Sequence, residues 1–368
     1  MRNERLGGWI SPPGETIEDV LEEKGWTKSE FARRLGFSSK HVSQLLSGKA
    51  PLTEDLAIAL ASVLGGTAAF WLEREARYRE ALKRQEAFDR LESQAGLLDE
   101  LPISWLVKEG CLKKYSHKGQ QVSEVFRFFG VASVASYREG YASPGAVFRT
   151  SASFGKAPGA VAAWIRRAEL AAERVHTERW NESGFRRCLR ELRSLTLEPD
   201  PRTFIPALTA ACAAQGVAVV FVPTPPKCPA SGMTFWRKGK AVLALSLRYK
   251  ANDQLWFTFF HEAGHILLHG RKMVFIEGLD GLDEEKEREA DEFAQNLLIP
   301  PEHTDELETL RSADEVQRFA ARIGIHPGIV VGRLQHDRLI PWRALNDLKQ
   351  RYDWGADGSV LARPCSPP

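Results

Sequence analysis

Two histidines and a glutamate in the C-terminal half have the types and spacing of a catalytic zinc site. The segment WFTFFHEAGHILLHG, residues 256–270, is helix-like, so His261 and His265 lie on one face about one turn apart. Glu262 follows the first histidine, where its carboxylate can take a proton from water at the open metal position. Zinc lowers the pKa of that water from near 16 to about 7. The motif therefore predicts hydrolysis of an amide, with Glu262 as general base.

The surrounding sequence favours a metal site over the main alternative, two histidines packed in a core. An apolar run WFTFF precedes the motif, strand-like AVLALSL lies upstream, and an acidic helix-like segment follows. Gly264 is unusual inside a helix, where it costs about 1 kcal/mol relative to alanine. We therefore expect another element to approach the backbone at Gly264 closely.

A catalytic zinc needs a third protein ligand, and the acidic segment at residues 284–300, EEKEREADEFAQNLLIP, can supply it. Phe293 and Leu297 are taken as the main positions of its apolar stripe, with alanines contributing less regularly. Glu289 lies four residues before Phe293, on the buried edge of that stripe, and is the predicted third ligand. Two neighbouring carboxylates are expected to be solvated, Glu285 and Glu287.

Three further residues near the predicted centre have open roles. Asp291 and Glu292 compete with Glu289 for the third ligand position, and Asp291 also suits a hydrogen bond from a histidine Nδ1–H. His269 continues the four-residue spacing of the histidines. It is a ligand, a residue that orients a ligand, or only the end of the helix, and the sequence does not separate these roles.

A helix-turn-helix pattern lies near the N-terminus, at residues 25–65. Thr27 and Ser38 are placed to cap two helices, with Gly36 in the turn between them. Local positive charge comes from Arg33, Arg34, Lys40 and Lys49. The second helix should expose polar side chains suited to a major groove, namely Ser39, Lys40, His41, Ser43 and Gln44. These features predict binding to a double-stranded DNA operator, against the alternative of a small helical bundle with surface charge.

A second copy of this pattern lies in the C-terminal half. FAARIGIHPGIVVGRL, residues 319–334, matches FARRLGFSSKHVSQLL, residues 31–46, at phenylalanine, alanine, arginine, glycine, valine and the final leucine. The positions aligned with the polar set carry Pro327, Gly328, Ile329, Val331 and Gly332. Because this set is unsuited to reading bases, we expect it to pack against the peptidase core or to form a groove for a partner.

The remaining segments predict an α+β, predominantly helical protein. A five-helix-type helix-turn-helix bundle occupies residues 1–75, a helical connector and middle region 76–200, a metallopeptidase domain with a small β-sheet 201–352, and a poorly ordered tail 353–368. VAVVFV, MTFW and AVLALSL are the candidate strands. An edge of AVLALSL is expected to pair with an extended substrate.

Composition limits the class of protein. The 368 residues are 43% hydrophobic and 27% charged, as in ordinary globular domains. The first residues lack an apolar signal segment, and no run is long enough to span a bilayer, which predicts the cytoplasm and no membrane partner. The net charge of +2 is too small to indicate nucleic acid by itself. Five scattered cysteines are expected to be reduced thiols, Cys111, Cys188, Cys212, Cys228 and Cys365.

Together these motifs resemble two known families joined in one chain. Residues 12–78 are similar to an Xre-type helix-turn-helix close to HigA-like antitoxins, and residues 201–352 resemble an ImmA/IrrE-type metallopeptidase through HEAGHILLHG and EADEFAQNLLIP. The resemblance implies a Zn²⁺ cofactor held by His261, His265 and Glu289, with Glu262 catalytic. It also implies a repressor as substrate, in a stress or mobile-element circuit. Because the two families often occur as separate chains, their fusion adds self-cleavage as a possibility.

Two functions therefore remain from the sequence. The first is a DNA-binding regulator that cleaves a repressor or itself, as a homodimer if its operators are palindromic. The second is a non-enzymatic HigA-like repressor or antitoxin with a structural or sensing zinc. A third possibility is that residues 97–195 bind a toxin or signal that controls the peptidase. This region carries no motif that supports or excludes that role.

Overall fold

The computed structural model describes residues 11–142, 157–270, 275–277 and 284–363, most of which are helical. They divide into two compact units, Met1–Gly96 with Lys113–Val125, and Leu97–Leu112 with Phe126–Pro368. The predicted α+β, predominantly helical class is confirmed. No helix within the described ranges is both long enough and apolar enough to cross a membrane.

The N-terminal bundle has five helices, as predicted: α1 (Pro13–Lys24), α2 (Lys28–Leu35), α3 (Ser39–Leu46), α4 (Glu54–Leu64) and α5 (Ala68–Glu92). Polar side chains begin four of them, because Thr27, Ser38, Thr53 and Thr67 each accept a backbone N–H in the first turn. Gly36 ends α2 at φ 76°, a left-handed conformation that favours glycine. The core includes Ile17, Phe31, Val42, Leu60 and Trp71.

The middle region is helical, as predicted. It contains α6 (Leu97–Glu100), α7 (Ile103–Lys108), α8 (Lys118–Phe129), α9 (Val134–Tyr137), α10 (Pro158–Glu173) and α11 (Glu182–Leu192). The helix α10 belongs to the C-terminal unit, where Trp164 Nε1 donates a hydrogen bond of 3.0 Å to the Val222 carbonyl. Lys240 Nζ donates to the carbonyls of Ala172 and Val175 at 2.7 and 2.6 Å. Part of the middle region is therefore a structural layer of the C-terminal unit.

The C-terminal unit has a four-stranded sheet with the three predicted strands. Its strands are β1 (Val217–Phe221), β2 (Gly232–Arg237), β3 (Lys240–Leu245) and β4 (Phe275–Ile276), in the order β1-β3-β2-β4. β3 is parallel to β1 and antiparallel to β2. Both edges of β3 are therefore already paired, and the prediction that a substrate strand adds to AVLALSL is wrong.

Helices cover this sheet and complete the unit: α12 (Pro201–Ala213), α13 (Asn252–Leu268), α14 (Glu284–Leu298), α15 (Thr304–Leu307), α16 (Ala313–Ile323) and α17 (Pro327–His336). The helix α13 is central, and nearly all of its side chains are buried. Its core neighbours include Phe204, Leu243, Ala294, Val331 and Tyr352.

The predicted disorder of the tail is wrong for its described part. β5 (Tyr352–Trp354) and β6 (Val360–Ala362) form an antiparallel hairpin. Val360 is buried in the core of the C-terminal unit, which the isolated apolar residues of this segment did not indicate. Residues 364–368 of the predicted tail, with Cys365, lie outside the described residues. The other four cysteines form no disulfide in the described part of the chain.

Candidate metal centre

His261 and His265 converge inside the C-terminal unit. They lie one turn apart on α13, both are almost fully buried, and their Nε2 atoms are 2.9 Å apart. The close approach expected at Gly264 exists, because a Cβ added there would lie 3.3 Å from the Ala290 Cα of α14. The helix that carries the two histidines is thus in direct contact with the acidic helix that was expected to supply the third ligand.

The structure brings Glu287, and not Glu289, to the two histidines. The two carboxylate oxygens of Glu287 lie 3.3 Å from His261 Nε2 and 3.3 Å from His265 Nε2, and the three residues form a group that could hold a metal ion. Glu289 is exposed, with Oε2 at 2.9 Å from His269 Nε2. The expectation that Glu287 is solvated is therefore wrong.

The error came from the choice of apolar stripe on α14. Phe293 and Leu297 are only half-buried, whereas Ala290, Ala294 and Leu298 are buried. Counting back from these alanines at helical spacing leads to Glu287, three residues before Ala290, instead of Glu289. The two alanines were visible in the sequence, and small side chains allow two helices to approach closely. The prediction relied instead on the larger side chain of Phe293 to define the buried side of the helix.

The distances within this group fit a tetrahedral metal ion. Ligand atoms at about 2.0–2.1 Å from a tetrahedral zinc lie about 3.3 Å from one another. The two Nε2 atoms are 2.9 Å apart, each has a different oxygen of the Glu287 carboxylate at 3.3 Å, and two imidazoles with one carboxylate are a common catalytic zinc set. The donor atoms therefore suit zinc in both chemistry and spacing.

Two further residues contact the outer nitrogens of the histidines. Asp291 Oδ1 lies 2.8 Å from His261 Nδ1, the contact suggested for it from the sequence. His269 ends α13, its Nδ1 lies 2.8 Å from His265 Nδ1, and its Nε2 reaches Glu289. Of the three roles left open for His269, this geometry suits orientation of His265. Glu292 forms an ion pair with Arg288 instead of approaching the histidines.

Glu262 is fully buried next to these groups. Neither of its carboxylate oxygens has a hydrogen-bond partner among the described residues. The chain leaves little room there, since a Cβ added at Gly232 of β2 would lie 2.5 Å from Glu262 Oε1. Sequence reasoning did not identify Gly232, because a glycine at the start of a strand has no specific signature.

Burial and neighbouring charges control the ionisation of the site. Burial raises the pKa of Glu262 well above its usual value, against the opposing effect of His261. Burial lowers the pKa of His265 to about 4. For Glu287 burial acts upward, but His261 and His265 outweigh it and hold the pKa at about 2. His265 is thus neutral and Glu287 ionised near pH 7, the forms in which both residues bind metals.

The predicted DNA-contact residues lie together on α3. Ser39, Lys40, Ser43 and Gln44 are exposed, while the half-buried His41 stacks on Phe37 with ring centroids 4.8 Å apart. The local positive charge is smaller than the sequence suggested. Arg33 and Arg34 both form ion pairs with Glu30.

Two segments of the chain match known families. Residues 212–335 match the peptidase M78 family model described as IrrE N-terminal-like domain, and residues 17–71 match a helix-turn-helix model. The chain therefore joins an Xre-like helix-turn-helix to an IrrE/ImmA-like domain of a metallopeptidase family, as its motifs predict.

Two individual proteins are similar to part of this chain. An uncharacterised HTH-type transcriptional regulator of Escherichia coli strain K12, YddM, is 40% identical over 60 residues. The match covers 16% of this chain and 64% of that relative. A crystal structure from Nostoc punctiforme PCC 73102, described as a candidate antidote protein of a plasmid maintenance system, is 28% identical, with a TM-score of 0.22. It covers 23% of this chain and 93% of that one.

Proposed function

We propose that the chain is a cytoplasmic DNA-binding transcription regulator with zinc-dependent endopeptidase activity. Its substrate is a transcriptional repressor or the chain itself, in a stress or mobile-element circuit. The observation that carries the proposal is the convergence of two histidine Nε2 atoms and the Glu287 carboxylate beside Glu262. Within the described part of the chain, neither buried oxygen of Glu262 has a hydrogen-bond partner, and a group bound at the metal would supply one.

Each residue of the centre has a defined task in this proposal. His261, His265 and Glu287 hold the ion, which supplies a Lewis acid and a water of lowered pKa when it is bound. With an ion held there, the Glu262 carboxylate would accept a proton from the attacking water and pass it to the leaving amine of the peptide. Burial of Glu262 raises its pKa, which makes it a stronger base than an exposed carboxylate.

The neighbouring polar residues fix the ring orientations. Asp291 accepts a hydrogen bond from His261 Nδ1–H, and this contact turns Nε2 toward the ion. His265 Nδ1–H donates to His269 Nδ1, and His269 Nε2–H donates to Glu289. In this arrangement Glu289 acts through His269 and His265 and does not bind zinc.

Metal content tests the ligand set, and the two glutamates of α14 form a matched pair. We expect one zinc per wild-type chain, loss of zinc in Glu287→Ala and His265→Ala, and retention in Glu262→Gln. Glu289→Ala should retain zinc with an affinity reduced by about 10–100-fold, the usual effect of a residue that supports a ligand. Loss of zinc in Glu289→Ala together with retention in Glu287→Ala would contradict the assignment.

Cleavage tests the reaction. Zinc-loaded wild-type protein is incubated with repressors encoded near its gene and alone, and products are identified by mass spectrometry. We expect cleavage by wild type and none by Glu262→Gln, with Glu302→Gln, an exposed residue of the same unit, as control. Equal cleavage by Glu262→Gln would refute the general-base role.

DNA binding and assembly are tested separately. We propose that Ser39, Lys40, His41, Ser43 and Gln44 contact an operator and that the chain binds as a homodimer. The supporting observation is their common position on α3, where all of them except the half-buried His41 are exposed. Operator selection from a random DNA pool should return a palindrome for wild type and no enriched sequence for Gln44→Ala with Ser43→Ala. Light scattering of the bound complex should give two chains per duplex.

The non-enzymatic repressor with a structural or sensing zinc remains the second candidate. The similarity to YddM of Escherichia coli supports this second candidate, because the 60 matched residues belong to an HTH-type transcriptional regulator. In that case zinc is bound, no protein is cleaved, and Glu262→Gln leaves DNA occupancy and its response to zinc unchanged.

A further inference from the structure

The second helix-turn-helix segment, α16 with α17, is joined by hydrogen bonds to both helices that carry the candidate metal ligands. The first contact is made by Arg193, in a short 3₁₀ turn that follows α11. Arg193 Nε and Nη2 donate to the Leu298 carbonyl at 3.1 and 2.9 Å, and Nη1 donates to the Ile323 carbonyl at 2.6 Å. Leu298 is the last residue of α14, and Ile323 is the last residue of α16. One guanidinium therefore joins the ends of these two helices.

The same turn also reaches the beginning of α17 and, through it, α13. Thr196 is buried, and its Oγ1 accepts a hydrogen bond of 3.4 Å from the backbone N–H of His326, the residue that caps α17. His326 Nδ1 lies 2.8 Å from Nδ2 of Asn252, the first residue of α13. Both helices with candidate ligands are thus joined to the second helix-turn-helix segment, α14 at its end and α13 at its beginning.

Arginine has the chemistry that this position requires. A helix leaves its last four carbonyl groups without partners inside the helix, and a cation is favourable near them. The Arg193 side chain is partly buried, and its three N–H groups go to the main-chain carbonyls of two different helices. A guanidinium holds its donors in a fixed planar arrangement, whereas a lysine ammonium is a point charge on a flexible stem. Arg193 can therefore fix the two helix ends relative to each other.

A contact at Leu298 affects the position of Glu287, which lies eleven residues earlier on α14. Eleven residues of an α-helix rise about 16 Å and complete about three turns, so the two residues lie on the same face. When a rigid helix slides or rotates, all of its residues move together. Apolar packing is non-directional, whereas hydrogen bonds have preferred distances and angles. The bonds from Arg193 therefore restrict the sliding and rotation that would turn Glu287 away from the histidines.

We propose that the second helix-turn-helix segment supports the candidate metal centre and that Arg193 is a positioning residue, which holds α14 with Glu287 facing the two histidines. The separations of 3.3 Å between the Glu287 oxygens and the two Nε2 atoms depend on this contact. The inference rests on the proposed metal centre. It gives a role to a segment that the proposed DNA binding does not use.

Zinc affinity tests the positioning role without any reaction. Zinc is titrated into the metal-free full chain in competition with a chelating dye. Arg193→Gln should weaken zinc binding by about tenfold or more, because residues that support a metal ligand usually contribute 10–100-fold. Arg193→Lys keeps the charge but loses the planar set of donors, so its loss should be smaller. Arg190→Gln removes the same charge from an exposed position of α11 and should leave the affinity unchanged.

A double-mutant cycle separates positioning from general stability. Glu287→Ala leaves the weaker zinc binding of the two histidines, and in this background Arg193→Gln should change the affinity by less than about twofold, since no ligand on α14 remains to be positioned. An equal loss in both backgrounds, or an unchanged affinity in Arg193→Gln alone, would overturn the positioning role. The same cycle is measured with Arg193→Lys, so that it can be completed if Arg193→Gln does not fold.

Cobalt substitution tests whether the carboxylate has moved. Co²⁺ is bound in place of zinc, and its visible spectrum depends on the number and geometry of its ligands. The spectrum of Arg193→Gln should approach that of Glu287→Ala, whereas Arg190→Gln should match wild type. A wild-type spectrum in Arg193→Gln would contradict a displacement of Glu287.

The cleavage assay described above separates this inference from the proposed reaction. If wild type binds zinc and the cycle couples Arg193 to Glu287 but no protein is cleaved, the endopeptidase activity fails and the positioning role stands. Cleavage by wild type without coupling in the cycle gives the reverse conclusion. A wild-type chain that binds no zinc would exclude both.

Discussion

The two helix-turn-helix segments of this chain have similar backbones and opposite surfaces. In the first, α2 and α3 are joined through Gly36 at φ 76°, and in the second, α16 and α17 are joined through Gly324 at φ 72°. Both glycines take the left-handed conformation that ends a helix. The same turn is therefore built twice, once in each compact unit.

The second helix of each segment carries the difference. At the positions where α3 exposes Lys40 and Gln44, α17 has Gly328 and Gly332. A Cβ at Gly328 would lie 2.7 Å from Asn252 Oδ1, and one at Gly332 would lie 2.7 Å from Asp253 Oδ2, both on α13. The expected packing of the second segment against the peptidase core is confirmed. The helix-turn-helix backbone alone therefore does not indicate a DNA-binding surface.

The largest expected effect compares one buried and one exposed position of these helices. Val331→Ser on α17 should lower the free energy of unfolding of the C-terminal unit by roughly 2–4 kcal/mol, since it leaves a cavity and a buried hydroxyl. Ser43→Ala, at the aligned exposed position of α3, should change it by less than about 0.5 kcal/mol. Urea unfolding of both variants measures this. Equal losses would mean that the two helices do not differ in burial.

A smaller effect concerns charge. Lys40→Gln should reduce the slope of log affinity for DNA against log salt by about 0.9, the contribution of one phosphate contact. Arg322→Gln removes the same charge from α16, where Arg322 pairs with Glu306, and should leave the slope unchanged. Fluorescence anisotropy with a labelled duplex at several salt concentrations measures both. A reduced slope in Arg322→Gln would assign DNA contact to the second segment as well.

The smallest effect concerns the hairpin that follows the second segment. Hydrogen bonds from Arg363 and Lys250 lower the pKa of Asp353 from 3.8 to about 2. A lowered carboxyl pKa stabilises the fold above pH 4, and this contribution is lost as the pH falls toward 2. Because the pair is partly exposed, we expect less than about 1 kcal/mol. The difference in urea midpoint between wild type and Asp353→Asn should disappear over that range, and a constant difference would contradict the assignment.

The sequence predicted the individual helices, strands and caps better than the contacts between elements that are distant in the chain. The motif on α13, the caps at Thr27 and Ser38, and the three strands depend on neighbours in the chain, and the structure has all of them where expected. Strand order depends on distant contacts, so the internal position of β3 was not predictable from its own residues. The hairpin at the end was missed for the same reason, because Val360 becomes core only through contact with distant elements.

The third residue of the candidate metal centre was predicted only in part. An acidic helix with a carboxylate near the histidines was predicted, but Glu287 and Glu289 differ by only two positions, about 200° around a helix. Which of them faces α13 depends on which side of α14 is buried. Ala290 and Ala294 lie on the buried side of α14. Their small side chains indicate a helix contact only when it is known that Gly264 of α13 lies opposite them.

The contact of Gly264 with α14 has a consequence for which ions the proposed centre accepts. A methyl group at this position would lie 3.1 Å from Phe293 Cδ1 and 3.3 Å from the Ala290 Cα, so the helices would separate by a few tenths of an ångström. Metal–ligand distances tolerate about 0.2 Å. Since two ligands lie on one helix and the third on the other, the spacing of the two backbones determines the ionic radius that all three can reach.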